Sequence, residues 1–407
     1  MIPTNLLLYI GVALLLGFLL GRATNWLRIT AIVGYIIAGI ILGPIMNKLM
    51  EPTLYTDTMN LVVDVTLGFV GFIIGIGFTK GFIKRFGKVA ISIALIESAV
   101  TFAILLLGTY LLTKDIILGL IFGVIGLATA PAGTVAAIHM AKGRGDLSRL
   151  TVAIVGVDDG IAIVFFVIVL AAVKFLLGEQ LSFFELISIP IIEIGAAVLL
   201  GVLFGSALAY LGRFIKDRED IFIISLSFIF TCIGICEIVG ASSILACMIF
   251  GIIFINTNPQ VGRTVNSNIE SVLPPIFVIF FAIAGLELSI RYNFLVEFGF
   301  FSIIGIVIVY IIYRILGKIA GAFIAGKTMK TSEATQKYLG FALLSQAGVN
   351  IGLAILLSNE LASHADGMEI GALVISIITI TTIFFEILGP IGVKYALTKA
   401  GEAYISK

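Results

Sequence analysis

The chain has 407 residues, of which 60% are hydrophobic and only 12% charged, with a formal net charge of +1. Soluble domains carry about 25% charged residues. With a mean hydropathy of +1.20, this composition excludes an ordinary soluble domain and predicts a helical membrane bundle. The near-zero charge leaves no footprint for nucleic acid, and apolar runs of about 20 residues argue against the short alternating segments of a β-barrel.

In chain order the apolar runs predict thirteen spans, at about 3–21, 28–47, 56–78, 88–112, 115–141, 148–175, 183–212, 220–239, 241–256, 268–290, 294–326, 336–358 and 369–395. Residues 1–21 lack a basic leading segment and run longer than a signal-peptide core. They are read as the first span and not as a cleaved leader. Hairpins this tight leave no room for a soluble regulatory domain, so residues 1–407 are expected to be one membrane transporter unit. Nineteen of the 25 Lys and Arg, among them Arg22, Lys80, Lys84, Arg85, Lys142, Arg144, Arg213, Lys216, Lys327 and Lys330, fall in the loops after odd-numbered spans and in the C-terminal tail. Four, Lys48, Lys114, Lys174 and Arg291, fall on the other side. This asymmetry places the N-terminus outside and the C-terminus in the cytoplasm of the cell (inner) membrane.

A weak internal repeat divides the spans. Residues 3–175 and 220–395 have similar hydropathy, with 183–212 as a connector. The first repeat begins outside and the second inside, so their topologies are inverted. Helix-breaking sequences fall at matching places, Thr129-Ala130-Pro131-Ala132-Gly133 in the fifth span and Ser345-Gln346-Ala347-Gly348 in the twelfth. Paired broken helices in inverted halves point to a transporter with its site at the membrane midplane.

Charges at the same depth carry the chemistry. Asp158 and Asp159 lie about 15 Å into the sixth span. A carboxylate there costs roughly 2.5–3.5 kcal/mol, so two adjacent ones require a reason. Neighbouring helix residues point about 100° apart. One aspartate is therefore expected to face a wet cavity and bind an ion, and the other to pair with a cation. Lys318 and Arg314, one turn apart in the eleventh span, are the candidate partners, lysine being the more readily titrated. Thr129 and Thr134 add hydroxyl oxygens near the first break, and unwound backbone adds carbonyls. Such oxygen donors suit hard cations such as sodium. Asp64, Glu97, Glu193 and Glu237 are read as interhelical hydrogen-bonding groups or parts of an access route, and His139 and His364 as interfacial or solvated residues. Cys232, Cys236 and Cys247 lack the neighbours of a metal site and are read as buried thiols.

In order and spacing these residues resemble the monovalent cation/proton antiporter superfamily, and within it the two-aspartate NapA-type sodium/proton antiporters, over nearly the whole chain. The matching stretches are Gly34-Tyr35-Ile36-Ile37-Ala38-Gly39-Ile40-Ile41-Leu42-Gly43-Pro44, Thr129-Ala130-Pro131, Val157-Asp158-Asp159, Phe280-Phe281-Ala282-Ile283-Ala284-Gly285-Leu286-Glu287-Leu288, Lys318-Ile319-Ala320-Gly321 and Ser345 to Gly348. The resemblance implies an NhaA/NapA-like all-α fold with crossed broken helices. It implies a homodimer embedded in membrane lipid, with Asp159 as the sodium and proton carrier and Asp158 paired with Lys318. It also implies electrogenic exchange by alternating access. Pro131, Gly133, Gln346 and Gly348 are the broken-helix positions that it assigns. Val349-Asn350 stands where the sodium branch often has an acidic residue, which leaves sodium against potassium or lithium open. No catalytic set, phosphate loop or cofactor site is visible, so the expected ligands are only the transported monovalent cation and protons. The competing reading is a proton-coupled or channel-like potassium efflux system.

Overall fold

The computed structural model describes residues 6–27, 30–49, 52–179, 183–215, 217–290, 300–346, 348–364 and 366–403. Residues 3–5 and 28–29, Lys216, Arg291, Ala347 and residues 294–299, which the sequence reading uses, lie outside these. Besides a short helical turn at Lys80–Phe82 and a π-helical one at Ile83–Gly87, the helices are α1 (Leu6–Trp26), α2 (Ala31–Leu49), α3 (Pro52–Gly77), α4 (Lys88–Thr113), α5 (Ile116–Ile125), α6 (Pro131–Met140), α7 (Asp146–Leu176) and α8 (Phe183–Leu211). They continue with α9 (Arg218–Val239), α10 (Ser243–Thr257), α11 (Pro259–Ile290), α12 (Phe300–Thr328), α13 (Glu333–Ala342), α14 (Gly348–Leu361) and α15 (Gly367–Lys399). Among the described residues, eight of these helices are long and apolar enough to cross a membrane, and five shorter apolar helices accompany them.

Two compact units share the chain. The first comprises residues 1–52, 86–162 and 281–407, and the second residues 53–85 and 163–280. In the second unit α3, α8 and α10 meet through glycines. A side chain at Gly75 would run into the Met248 carbonyl, one at Gly251 into that of Phe72, and one at Gly201 into that of Ala246. Lipid is as apolar as leucine, so helices in a membrane are held by close packing, which small residues permit. The space between the glycine contacts is filled by Phe72, Phe250 and Phe254, stacked edge and face at 4.8–6.4 Å between centroids. Cys232, Cys236 and Cys247 are free and buried here.

The first unit uses the same device on α4 and α12. A Cβ at Gly317 would lie 2.9 Å from Thr101 Cα, and one at Gly321 2.7 Å from the Glu97 carbonyl oxygen. This contact packs the turn of α12 that carries Lys318 against the turn of α4 that carries Glu97. The two glycine-rich stretches at 34–44 and 280–288 also interlock. A Cβ on Gly39 of α2 would run into the Ala282 carbonyl, and one on Gly285 of α11 into the Ile36 carbonyl. Each glycine is thus required by the backbone opposite, which is why both stretches need small residues at these points.

Gly285→Ala is therefore expected to force the two helices apart and to lower stability in detergent, with overpacking costs of about 1–3 kcal/mol. Gly234→Ala, in α9 where a Cβ meets nothing within 4 Å, should be neutral or slightly stabilising, since alanine is the better helix former. Thermal unfolding of the two variants side by side checks this contrast.

Candidate functional site

Both expected helix breaks are present, and the first begins earlier than its proline suggested. The α5 helix ends at Ile125 with Gly126 as its cap, and α6 resumes at Pro131. Proline is accepted at the first helical position because the N–H it lacks would have no intrahelical partner there. Pro131 therefore starts a half-helix instead of interrupting one, and Gly133 and Thr134 sit in its first turn. In the second break α13 ends at Ala342 and α14 resumes at Gly348, which leaves Ser345 and Gln346 in the unwound segment.

The unwound segments touch, the Ala130 N–H donating to the Ser345 carbonyl at 3.2 Å. Helices that stop inside the bundle leave their last carbonyls without intrahelical donors. The unwound segments that follow add further unpaired carbonyls, and Arg314 supplies donors to four of these. Its Nε donates to Gly126 O at 3.0 Å, Nη1 to Leu344 O at 2.8 Å, and Nη2 to Ala128 O at 2.9 Å and Ser345 O at 3.3 Å. Its guanidinium also lies 4.4 Å from the centre of the Phe385 ring. Arg314, read from the sequence as an alternative partner for Asp158, thus directs these hydrogen bonds to backbone. A planar, permanently charged fork suits several carbonyls at two negative helix ends. Asn350 adds bonds to Ile125 O at 2.7 Å and Ala128 O at 3.3 Å. Gln346 is held between the Tyr310 hydroxyl, which donates to it at 3.2 Å, and the Thr382 hydroxyl, to which it donates at 3.1 Å.

One turn beyond Arg314, Lys318 is fully buried among three acceptors. Its Nζ lies 3.0 Å from Asp158 Oδ2 and 3.2 Å from Glu97 Oε2, and it donates to Leu127 O at 2.5 Å. Asp158 accepts further bonds from Ser98 at 3.3 Å and from the Thr129 hydroxyl. Thr101 donates to the other oxygen of Glu97 at 2.7 Å. Asp159 differs sharply from its neighbour. It is 1% exposed, and neither carboxylate oxygen has a hydrogen-bond partner. The hydroxyls of Thr134 and Ser345 and one oxygen of Glu386 are also buried without one. Gly133 lies between the last two, its ideal Cβ position 3.7 Å from Ser345 Oγ and 4.0 Å from Glu386 Oε2.

The helix that carries both aspartates is anchored at its start by the chain's C-terminal end. Glu402 accepts from the Leu147 N–H at 2.8 Å and from the Ser148 N–H and hydroxyl at 2.8 and 2.7 Å. A carboxylate there answers the unsatisfied donors and partial positive charge of a helix N-terminus.

The sequence reading therefore named Asp158, Asp159, Lys318 and Thr129, which the structure brings together or sets side by side. It left Glu97 among general polar groups and did not single out Glu386. Their signal was available: each is a lone acid deep within an apolar run, where an ionisable residue is costly.

Removing Lys318 strands two carboxylates, whereas removing Asp158 leaves Lys318 with Glu97. Lys318→Gln should then lose stability on the scale of a broken buried pair, about 3–5 kcal/mol. Asp158→Asn should lose less, and the double variant should recover part of the lysine loss. Thermal unfolding in a double-mutant cycle measures the coupling, and strictly additive losses would show that the two do not interact.

The sodium/hydrogen exchanger transmembrane family model matches residues 10–399. The fold is that of the sodium proton antiporter MjNhaP1 from Methanocaldococcus jannaschii. Its structure at pH 8 superposes with a TM-score of 0.75 at 18% identity, covering 97% of each chain. A second structure, from an electron-microscopy map of the same antiporter, gives 0.73 at 19% identity over 99% of this chain and 100% of that one. No curated protein matches the chain. With a family model spanning almost its entire length, this multi-pass membrane chain belongs to the sodium/hydrogen exchanger family of cation/proton antiporters.

Proposed function

We propose that the protein exchanges a monovalent cation, sodium first, for protons at Asp159, electrogenically and by alternating access. The observation that carries this reading is the contrast between the two aspartates. Asp158 is engaged by Lys318, Ser98 and Thr129, while Asp159 is buried with both oxygens unpartnered. An isolated ionised carboxylate away from water is too costly to persist. Asp159 must hold either a proton or a cation, and one group that holds one or the other is what an exchanger requires. The free hydroxyl oxygen of Thr134 and the carbonyls of the unwound segments are hard donors of the kind sodium prefers. Asp158 supplies a second negative charge beside the ion, and Thr129 steadies Asp158.

The architecture proposed around this site has thirteen crossings. They are the eight long helices, the shorter apolar segments 31–44, 61–77 and 243–257, and the two broken pairs α5–α6 and α13–α14. We place the broken pairs at equivalent points of two inverted repeats. The excess of Lys and Arg in alternate loops orients the N-terminus outside and the C-terminus in the cytoplasm of the cell membrane. A homodimer is proposed on the family resemblance. Selectivity among sodium, lithium and potassium is proposed to rest on Asp158, Asp159, the Thr134 hydroxyl and the carbonyls of the unwound segments.

Asp159→Asn keeps the volume and removes the charge. It is expected to abolish sodium-driven proton flux in proteoliposomes and to abolish sodium binding. Wild-type-like exchange by this variant would remove Asp159 from its role. The several buried acids gathered around Lys318 are proposed to exchange more than one proton per monovalent cation, so the cycle should move net charge. A voltage negative inside does about 2.3 kcal/mol of work per charge per 100 mV. It should therefore speed proton entry coupled to sodium exit. A sodium jump on a solid-supported membrane should give a current, with sodium affinity falling as pH drops. Robust exchange without charge movement at any pH would make the antiporter electroneutral.

A further inference from the structure

We propose that Glu97 carries the second proton of the exchange cycle, gaining it as the cation leaves Asp159 and releasing it as the cation returns. This inference rests on the electrogenic reading above and names the group that makes it so.

Lys318 is the obvious place to look for a second proton, and its surroundings argue against it. An ammonium has three hydrogens, and Lys318 has three acceptors, one from each of Glu97, Leu127 and Asp158. A neutral amine there would turn a lone pair toward an oxygen that has none but lone pairs to offer. The three-fold cage thus gives every hydrogen of the ammonium form an acceptor. Arg314, the other buried cation nearby, has committed its fork to four carbonyls and stays charged in any case.

That leaves two carboxylates competing for one ammonium at nearly equal distance, 3.0 Å for Asp158 and 3.2 Å for Glu97. The glycines at 317 and 321 bring Glu97 this close, and Thr101 fixes its far oxygen. At its level the titratable groups on the elements around it are Asp158 and Asp159 on α7, and Tyr310, Tyr313, Arg314 and Lys318 on α12; Asp146, Arg149 and Lys174 on α7 and Lys327 on α12 lie two or more turns away along those helices. Helix α5, which also packs on α4, has none. When a cation sits between Asp158 and Asp159, Asp158 shares its charge with the cation, and Lys318 needs an ionised Glu97 as its counter-ion. When the cation departs, Asp158 returns fully to Lys318. Glu97 is then a buried carboxylate without a dedicated positive partner, a state that favours taking up a proton.

The charges balance. In the cation-loaded form three carboxylates are ionised against one bound cation and one ammonium, which leaves one net negative charge. In the proton-loaded form Asp159 and Glu97 each hold a proton, and Asp158 and Lys318 cancel, which leaves none. Two protons thus replace one cation, the O–H bonds forming on Asp159 and Glu97, and one net charge crosses per cycle. Lys318 never changes its protonation.

Reversal potentials of proteoliposome exchange give the proton-to-sodium ratio directly. The expected ratio is two for the wild type and for Glu97→Asp, and one for Glu97→Gln, whose slower exchange should carry no current after a sodium jump. A ratio of two retained by Glu97→Gln would overturn the proposal and leave the electrogenic reading intact. A wild-type ratio of one would overturn both. Should Glu97→Gln be inactive, infrared difference spectra decide the matter. Adding sodium should remove two protonated-carboxyl bands from the wild type, and Glu97→Asp should shift one of them. A single band unmoved by Glu97→Asp would overturn the assignment.

Discussion

Two helices that unwind in the middle of an apolar bundle leave backbone carbonyls without helical donors, and buried side chains supply them, Arg314 foremost, with Asn350 and Lys318. The α5 and α13 ends bring Gly126, Ala128, Leu344 and Ser345 to Arg314. Irregular backbone at membrane depth is tolerated only where protein or a wet cavity satisfies it. Once Arg314 holds the two C-terminal ends, the half-helices α6 and α14 start from a defined place. Lys318, one turn along the same helix, is then delivered to Leu127, Asp158 and Glu97. Arg314 thus binds backbone and Lys318 binds carboxylates, so different residues hold the unwound scaffold and the charged cluster.

The adjacent aspartates divide their work through the geometry of a helix. A rotation of about 100° between neighbours turns Asp158 into a network of hydroxyls and an ammonium and leaves Asp159 without partners. A fully satisfied Asp159 would have no reason to exchange ligands, and an unsatisfied Asp158 would leave Lys318 with one counter-ion fewer. The Glu402 clasp at the start of the same helix fixes the end from which both are displayed.

Much of this was legible in the sequence because membrane burial makes each exception costly. A long apolar run announces a helix, and an acid or base within it announces a partner, so Asp158, Asp159 and Lys318 stood out. Pro131 and Gly348 marked the breaks to within a few residues. The start of the first break was displaced because a proline that opens a helix and one that interrupts it look alike in sequence. The choice between Lys318 and Arg314 could not be made from spacing, since residues one turn apart share a face and differ in what the neighbouring helices present. Glu97 was undervalued for the same reason: its importance lies in Gly317 and Gly321 across the interface, and no local pattern on its own helix records them. Gly39 and Gly285 were visible as motifs, but their mutual fit is a property of two backbones in contact.

The central claim is that a cation and a proton compete for one buried carboxylate, and it can be tested without a membrane gradient. Purified protein in lightly buffered detergent is mixed with sodium, lithium, potassium or choline chloride, and released protons are followed with a pH indicator. The account predicts proton release on adding sodium, saturating with sodium concentration, absent with choline and absent in Asp159→Asn. Sodium binding detected by calorimetry with no accompanying proton release, over the pH range where exchange occurs, would contradict it.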